Sequence, residues 1–376
     1  MKEKTIGCRH FPACSGCVYD SCVNPPEKYL EAKKYFATSW QLELALTEGE
    51  VRHWRTRAKL AVCAPDSIGL FAKGTHSVLP IPHCQVHHPK INEAVARLLE
   101  AFRKANLTAY DEKTKTGDLR YIQCLVERKS EKVQLSLVLN RKKMPPEWLH
   151  FLNTLFEPIF WHSIWCNFND KPINTIFSPS WQHIAGQEEI WEEIAGLEIA
   201  FGPSHFGQAN LAIYESLVYD IQNNVPAKAK VVELYAGIGV IGLALAKNCS
   251  SVLLCEVESH AKHYFEKALA KLPALEKQRL SYKVAKAESC LEFLQGADVC
   301  VVDPPRKGLG KELLERILET PSLKQLVYVS CEWKSLERDL ETLPSLWKVT
   351  KAQSYLFFPG TNQIETVVFL ERKESG

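Results

Sequence analysis

Apolar positions along the chain follow two rhythms. In the first half they alternate with polar ones: from Gln41 to Leu79 the text reads as short strands, notably Arg57-Ala-Lys-Leu-Ala-Val-Cys63 and Ile68-Gly-Leu-Phe-Ala72. After Pro89, the residues Ile91, Val95, Leu98, Leu99 and Phe102 recur at helical spacing and predict one helix with an ordinary core face. Leu119-Arg-Tyr-Ile-Gln-Cys-Leu-Val-Glu127 and Lys132-Val-Gln-Leu-Ser-Leu-Val-Leu-Asn140 alternate again, and the polar Arg128-Lys-Ser-Glu131 between them predicts a hairpin. Mixed helix and strand signals continue to near Gly196. From Val231 onward the rhythm changes to short continuous apolar runs: Val231-Val-Glu-Leu234, Ser251-Val-Leu-Leu-Cys255, Ala297-Asp-Val-Cys-Val-Val302 and Leu326-Val-Tyr-Val-Ser330. Such runs, separated by helical text, predict buried strands of an α/β sheet.

A chain of 376 residues is long for one core, so two or three domains are expected. Hydrophobic residues at 46% and charged residues at 24% are those of an ordinary globular protein. A net charge of +2 neither demands nor excludes nucleic acid. The basic runs are local, Arg52-His-Trp-Arg-Thr-Arg-Ala-Lys59 and Arg141-Lys-Lys143, and the first interleaves aromatic with basic residues as phosphate contact and base stacking require. Met1-Lys-Glu-Lys-Thr-Ile-Gly-Cys8 lacks the apolar core of a signal peptide, and no run approaches the roughly 18 apolar residues of a membrane span. A cytoplasmic protein without a membrane partner is expected. Thirteen cysteines in a reducing compartment point to metal or catalysis rather than disulfides.

Three of them fall within ten residues, Cys8-Arg-His-Phe-Pro-Ala-Cys14-Ser-Gly-Cys17, on a loop marked by glycine and proline. Cys22, Cys63 and Cys84 compete as the fourth ligand, and Cys84, in the proline-bounded Pro80-Ile-Pro-His-Cys84-Gln-Val-His-His, is the best placed. Four thiolates suit an iron–sulfur cluster or zinc equally, and His10, His83, His87 and His88 keep zinc open as an alternative.

In the second half, a strand, a turn containing Gly237 and Gly239, a helix and a second strand ending on Glu256 form a Rossmann-like unit. The glycines let backbone approach a ligand, and Glu256 can accept from two ribose hydroxyls, which implies a nucleoside-containing cofactor. The loop opens with Glu233, an acid that repels phosphate and suits an amino-acid ammonium, favouring S-adenosylmethionine over NAD. Two prolines after Asp303 stop a strand abruptly and hold that carboxylate at the sheet edge. Cys331 emerges where the next strand ends, beside Asp303. Glu365 stands near the start of the last strand; taken alone, it is as readily an exposed strand glutamate as a functional one.

Together, Phe206-Gly-Gln208-Ala-Asn210, Asp303-Pro-Pro-Arg306, Ser330-Cys331 and Phe358-Pro-Gly-Thr-Asn-Gln-Ile-Glu365 resemble the uracil-C5 RNA methyltransferases, in family order and over nearly the whole chain. Cys8, Cys14, Cys17 and Cys84 look like the [4Fe-4S] ligands of the ribosomal-RNA members. The resemblance implies a class I methyltransferase fold, S-adenosylmethionine as donor and an RNA uridine as substrate. By position, Gln208, Tyr235, Gly237, Glu256 and Asp303 match cofactor- or uracil-contacting residues, Cys331 the nucleophile that attacks C6, and Glu365 the base that removes the C5 proton. The chain looks most like the short 23S ribosomal-RNA enzymes, although its Cys8–Cys17 spacing is closer to the longer ones. It departs from the family at Glu332, where Asn follows the nucleophile, at Gln363, where His is common, and at Glu233-Leu-Tyr-Ala-Gly237, usually Asp-Leu-[Phe/Tyr]-Cys-Gly. The expected organisation is an N-terminal region with cluster cysteines over 1–90, a small α+β RNA-binding domain over 91–200 and a methyltransferase domain over 201–376, acting as a monomer on 23S rRNA. A tRNA uridine-C5 enzyme, or a non-catalytic metal-stabilised RNA-binding protein, are the alternatives.

Overall fold

The computed structural model describes residues 4–22, 24–63, 67–105, 107–171, 175–205 and 207–373. The chain forms two compact units, each assembled from separated segments. One comprises Met1–Asn24, Glu50–Glu192 and Phe201–Asn210, the other Pro25–Gly49, Glu193–Ala200 and Leu211–Gly376.

The first unit is built on a seven-stranded sheet in the order Val78–Pro80, Ser67–Phe71, Arg57–Cys63, Leu119–Val126, Val133–Leu139, Trp161–Phe168, Trp181–Gly186. The expected hairpin is present, with Ile122 opposite Leu137 and Val126 opposite Val133. One neighbouring pair, Val133–Leu139 with Trp161–Phe168, is parallel. The helix Pro146–Leu155 makes the crossover that a parallel pair requires. The helix Pro89–Ala105 buries Ile91, Val95, Leu98 and Phe102 as its spacing predicts. The structure does not divide the chain after residue 90. Arg57–Cys63 pairs with Leu119–Val126, Ala58 lying opposite Cys124, so one sheet crosses the expected boundary. The reason is that a central strand must pair its backbone groups on both sides, and the second partner lies some sixty residues on.

The second unit holds an eight-stranded sheet in the order Ala45–Thr47, Trp347–Tyr355, Glu365–Arg372, Gln325–Ser330, Val299–Val302, Lys230–Leu234, Ser251–Glu256, Leu280–Val284. Every residue of Val299–Val302 and Gln325–Ser330 is buried, as the continuous apolar runs require of strands covered on both faces. Residues 25–49, expected to belong with the N-terminal region, fold here instead. The helix Glu27–Ser39 buries Tyr29, Ala32 and Phe36, the Tyr29 hydroxyl donates to the Leu44 carbonyl at 2.8 Å, and Ala45–Thr47 runs parallel to Trp347–Tyr355. Among the described residues, no helix is long and apolar enough to cross a membrane.

Candidate active site

Strand register decides what meets at one edge of the second unit's sheet. Lys230–Leu234 runs parallel to Ser251–Glu256 and Val299–Val302, with Leu234 level with Cys255 and Val302. Val299–Val302 runs parallel to Gln325–Ser330 in turn, with Val302 level with Tyr328. All four strands therefore end at one edge, and Tyr235, Asp303 and Cys331 are the next residues out. Glu365–Arg372 is antiparallel to Gln325–Ser330, with Thr366 opposite Ser330, so Glu365 starts at the edge where Cys331 leaves. Tyr355 lies opposite Glu365 on the other side. Held between two strands, Glu365 is only 6% exposed, so of the two alternatives the exposed strand glutamate is ruled out.

These groups feel one another. Burial pushes Asp303 up to about 7. Burial, with the Asp303 carboxylate next, holds Glu365 well above the ordinary carboxylate range. The half-buried Cys331 thiol is pushed up to about 11 by burial first, then by Glu365 and Asp303, against the pull of the Arg306 guanidinium. Burial therefore disfavours the charged form of all three, and the Asp303 carboxylate adds to the rise at Glu365 and Cys331.

The helix Trp333–Leu340, just after Cys331, also holds the loop beyond Asp303. Ser335 Oγ donates to the Arg306 carbonyl at 2.6 Å and Arg338 Nη2 to the Lys307 carbonyl at 2.8 Å. The fully buried Asp339 accepts from the Leu309 N–H and from the Tyr328 hydroxyl, each at 2.7 Å. The prolines alone do not fix Asp303; a helix from later in the chain clamps the loop on their far side.

At the glycine turn, Gly237 and Gly239 have φ of +56° and +88°. A Cβ on Gly239 would stand 2.4 Å from Leu254 Cδ2, so this glycine lets helix and strand approach, whereas one on Gly237 would meet nothing within 4 Å and would face open space. Tyr235 shares the left-handed region at φ +62°, a costly conformation for a non-glycine residue. Glu256 accepts from the Gly237 and Glu258 N–H groups, both at 2.9 Å, and each carboxylate oxygen keeps a lone pair for a hydroxyl donor. Glu233 is 2% exposed and is pushed up to about 8 by burial, against the Gly242 N–H that it accepts and with Asp303 and Glu256 adding to the rise. Its Oε2 has no hydrogen-bond partner. A buried, unpartnered carboxylate oxygen beside a hydroxyl-accepting glutamate and an open glycine fits a ligand that carries both an ammonium and a ribose, as S-adenosylmethionine does.

Gln208 lies in the first unit, half-buried, next to Ala209, whose carbonyl accepts from the Thr56 N–H at 3.0 Å. Phe206, which opens that motif, lies outside the described residues. Sequence reasoning missed Tyr214 on the helix Leu211–Asn224. Burial, then the carboxylates of Asp303, Glu233 and Glu365, push its phenol far up, and its ring centroid lies 6.4 Å from that of Phe357. No motif marks it; its position four residues after Asn210 is the only signal.

In the first unit, Cys8, Cys14, Cys17 and Cys84 line one cavity of about 240 Å³ together with His10, Arg55 and His87. Cys22 does not line it, and Cys63 lines a different one. Cys14 Sγ accepts from the Gly16 N–H at 3.4 Å, and the Val86 and His87 N–H groups face Cys84. Burial, then the neighbouring Cys84, Cys8 and Cys14, push Cys17 up to about 12. Burial, then Arg55, holds His87 down to about 3, so this imidazole stays neutral. Among the described residues, no three His, Cys, Asp or Glu side chains are grouped to hold a single metal ion.

A sheet of this order, parallel except for the inserted antiparallel strand Glu365–Arg372 and with acids, glycines and a thiol at one edge, fits a class I methyltransferase fold. The family model described as tRNA (Uracil-5-)-methyltransferase matches residues 23–373. The chain belongs to that family and is an S-adenosylmethionine-dependent RNA methyltransferase. It is 41% identical over 383 residues to an uncharacterized RNA methyltransferase of Protochlamydia amoebophila, covering 99% of each chain. To an uncharacterized RNA methyltransferase of Bacillus cereus it is 31% identical over 385 residues, covering 97% of this chain and 83% of the other. The structure of Pyrococcus abyssi tRNA (uracil-54, C5)-methyltransferase in complex with S-adenosyl-L-homocysteine superposes with a TM-score of 0.79 at 23% identity, covering 96% of this chain and 86% of that one.

Proposed function

We propose that the protein methylates C5 of a uridine in 23S ribosomal RNA through a covalent adduct between Cys331 and C6. The observation that supports this reading is the common strand edge at which Asp303, Cys331 and Glu365 meet. Uracil C5 is a weak nucleophile, and adding a thiolate to C6 turns the ring into an enolate whose negative charge rests on C5 and O4. Cys331 gives up its thiol proton to solvent and, as thiolate, forms that C6–S bond while the C5=C6 π pair moves toward C5 and O4. Asp303, whose proton affinity is raised to about 7, carries a proton part of the time near neutrality and donates it toward O4 as charge grows there. S-adenosylmethionine supplies an electrophilic methyl group to C5. Glu365, a stronger base than an exposed carboxylate because burial and Asp303 raise it, then takes the C5 proton. The C5–H electron pair re-forms the C5=C6 bond as the C6–S bond breaks, and Cys331 leaves as thiolate. Glu233 would hold the methionyl ammonium and Glu256 the ribose hydroxyls.

Cys8, Cys14, Cys17 and Cys84 would hold a [4Fe-4S] cluster. Four thiols lining one cavity, with N–H donors to two of the sulfurs, support this reading, and tetrahedral zinc on the same thiols is the alternative. The cluster would tie the N-terminal loop to residues 80–88 and take no part in methyl transfer. It also favours ribosomal RNA, because the resemblance in these cysteines is to ribosomal-RNA members. The second reading, a transfer-RNA uridine, is favoured by the family's description and by the substrate named for the Pyrococcus abyssi enzyme. Mass-spectrometric mapping of 5-methyluridine in rRNA and tRNA, from cells with and without the gene, tests both. Loss of one 23S position supports the proposal; loss from tRNA alone replaces it with the second reading, and no loss from either overturns both.

A further inference from the structure

We propose that Lys28 is a positioning residue for the covalent step: it ties together the loops that carry Cys331 and Glu365, and it neutralises the Glu332 carboxylate that would otherwise oppose ionisation of the neighbouring thiol. This rests on the reading of Cys331 as nucleophile. Lys28 is the second residue of the helix Glu27–Ser39. Its Nζ donates to both carboxylate oxygens of Glu332, at 2.9 and 3.1 Å, and its backbone N–H donates to Asn362 Oδ1 at 3.1 Å. One residue thus reaches the position after the nucleophile and the loop three residues before the base.

The contact is part of a larger docking surface within the same unit. Lys334 Nζ lies 3.2 Å from Glu31, and Tyr35 and Phe36 set their rings 5.4 and 5.9 Å from Trp333. Glu332 itself starts the helix Trp333–Leu340: its carbonyl accepts from the Leu336 N–H at 3.2 Å, and its N–H donates to Ser330 Oγ at 3.3 Å. The Lys28 and Glu332 side chains are 22% and 23% exposed, shielded enough that the pair is not reduced to a loose surface contact.

Cys331 already faces the carboxylates of Glu365 and Asp303, with Arg306 as the opposing cation. Glu332 adds a further negative charge on the next residue, and Lys28 lies against it. An uncancelled unit charge on an adjacent, partly solvent-screened residue moves a thiol midpoint by about half to one pH unit.

The test measures the pH dependence of iodoacetamide labelling at Cys331, monitored on its own peptide by mass spectrometry in the full-length protein. Lys28→Met should move the midpoint up by about half to one unit and slow labelling near neutrality about three- to tenfold. Adding Glu332→Gln to that variant should return the midpoint, Lys28→Arg should hold it, and Glu332→Gln alone, which leaves Lys28 uncompensated, should lower it. An unchanged midpoint in Lys28→Met, or a shift that Glu332→Gln does not reverse, overturns the proposal. If Lys28→Met fails to fold, the Glu332→Gln arm decides alone: a midpoint that does not fall overturns it. Labelling reports the thiol whether or not it attacks uracil. Failure of wild-type protein to form an adduct with 5-fluorouridine RNA would instead remove the nucleophile reading.

Discussion

Replacing Glu233 by glutamine isolates the cost of holding a carboxylate in the core beneath the cofactor turn. The side chain is 2% exposed, Oε2 is unpartnered, and burial, against the Gly242 N–H and with the Asp303 and Glu256 carboxylates, moves its midpoint from 4.5 to about 8. The folded value lies above the unfolded one, so the contribution to stability is fully present below about 4.5 and is lost as pH rises through about 8. At 1.36 kcal/mol per pH unit, the displacement from 4.5 to about 8 corresponds to at most about 5 kcal/mol, and structural relaxation reduces it to a few. Glutamine keeps the shape and an acceptor for Gly242 without the ionisation. Asp303 and Glu365 are raised as well and titrate in the same direction, so the quantity to read is the difference between the two proteins. Urea unfolding of cofactor-free protein at pH 6 and pH 9 should show the wild type losing about 1–3 kcal/mol more than Glu233→Gln over that interval, because the part of the loss between 4.5 and 6 has already occurred. Parallel pH profiles for the two would refute the reasoning, because they would mean that Glu233 stays ionised in the folded protein at no cost.

Asp339→Ala strands the Tyr328 hydroxyl and the Leu309 N–H in the core and leaves Arg338 without its carboxylate, so urea unfolding should show a loss of about 3–5 kcal/mol, with Asp339→Asn milder. Glu365→Gln should methylate its RNA but fail to release it, accumulating a covalent protein–RNA complex on denaturing gels; normal turnover would remove Glu365 from the role of base. Cys84→Ser, purified without oxygen beside the wild type, should lose most of its iron and sulfide while the wild type carries about four of each. Zinc alone in the wild type would contradict the cluster.

How far the sequence spoke depended on how local the cause was. The Gly237–Gly239 turn, the Asp303-Pro-Pro stop and the strand ending at Cys331 were legible because each is set by residues within about ten positions. The chain's division into units was not, because it rests on distant pairing. Ala45–Thr47 is three residues long, and its partner begins at Trp347. Arg57–Cys63 needs Leu119–Val126 beyond the expected boundary. The sequence left the exposure of Glu365 open, because its burial is set by distant strands: Tyr355 lies opposite it, and the Gln325–Ser330 strand flanks it with Ser330 facing Thr366. Glu332 was an unexplained departure from a family pattern until the fold brought Lys28, some three hundred positions earlier, within 2.9 Å. Cys84 could be singled out as fourth ligand because proline bounds its loop, but its sharing of one cavity with Cys8, Cys14 and Cys17 is a property of the folded unit.

The central claim is that Cys331 bonds covalently to C6 of a uridine in RNA. A 23S rRNA fragment carrying 5-fluorouridine, which takes the methyl group but has no C5 proton to lose, should trap the enzyme in the presence of S-adenosylmethionine. The product should be a stable adduct whose RNA-bearing peptide contains Cys331, and Cys331→Ala should give neither adduct nor 5-methyluridine. Methylation by Cys331→Ala, or an adduct that maps to another cysteine, would contradict the account.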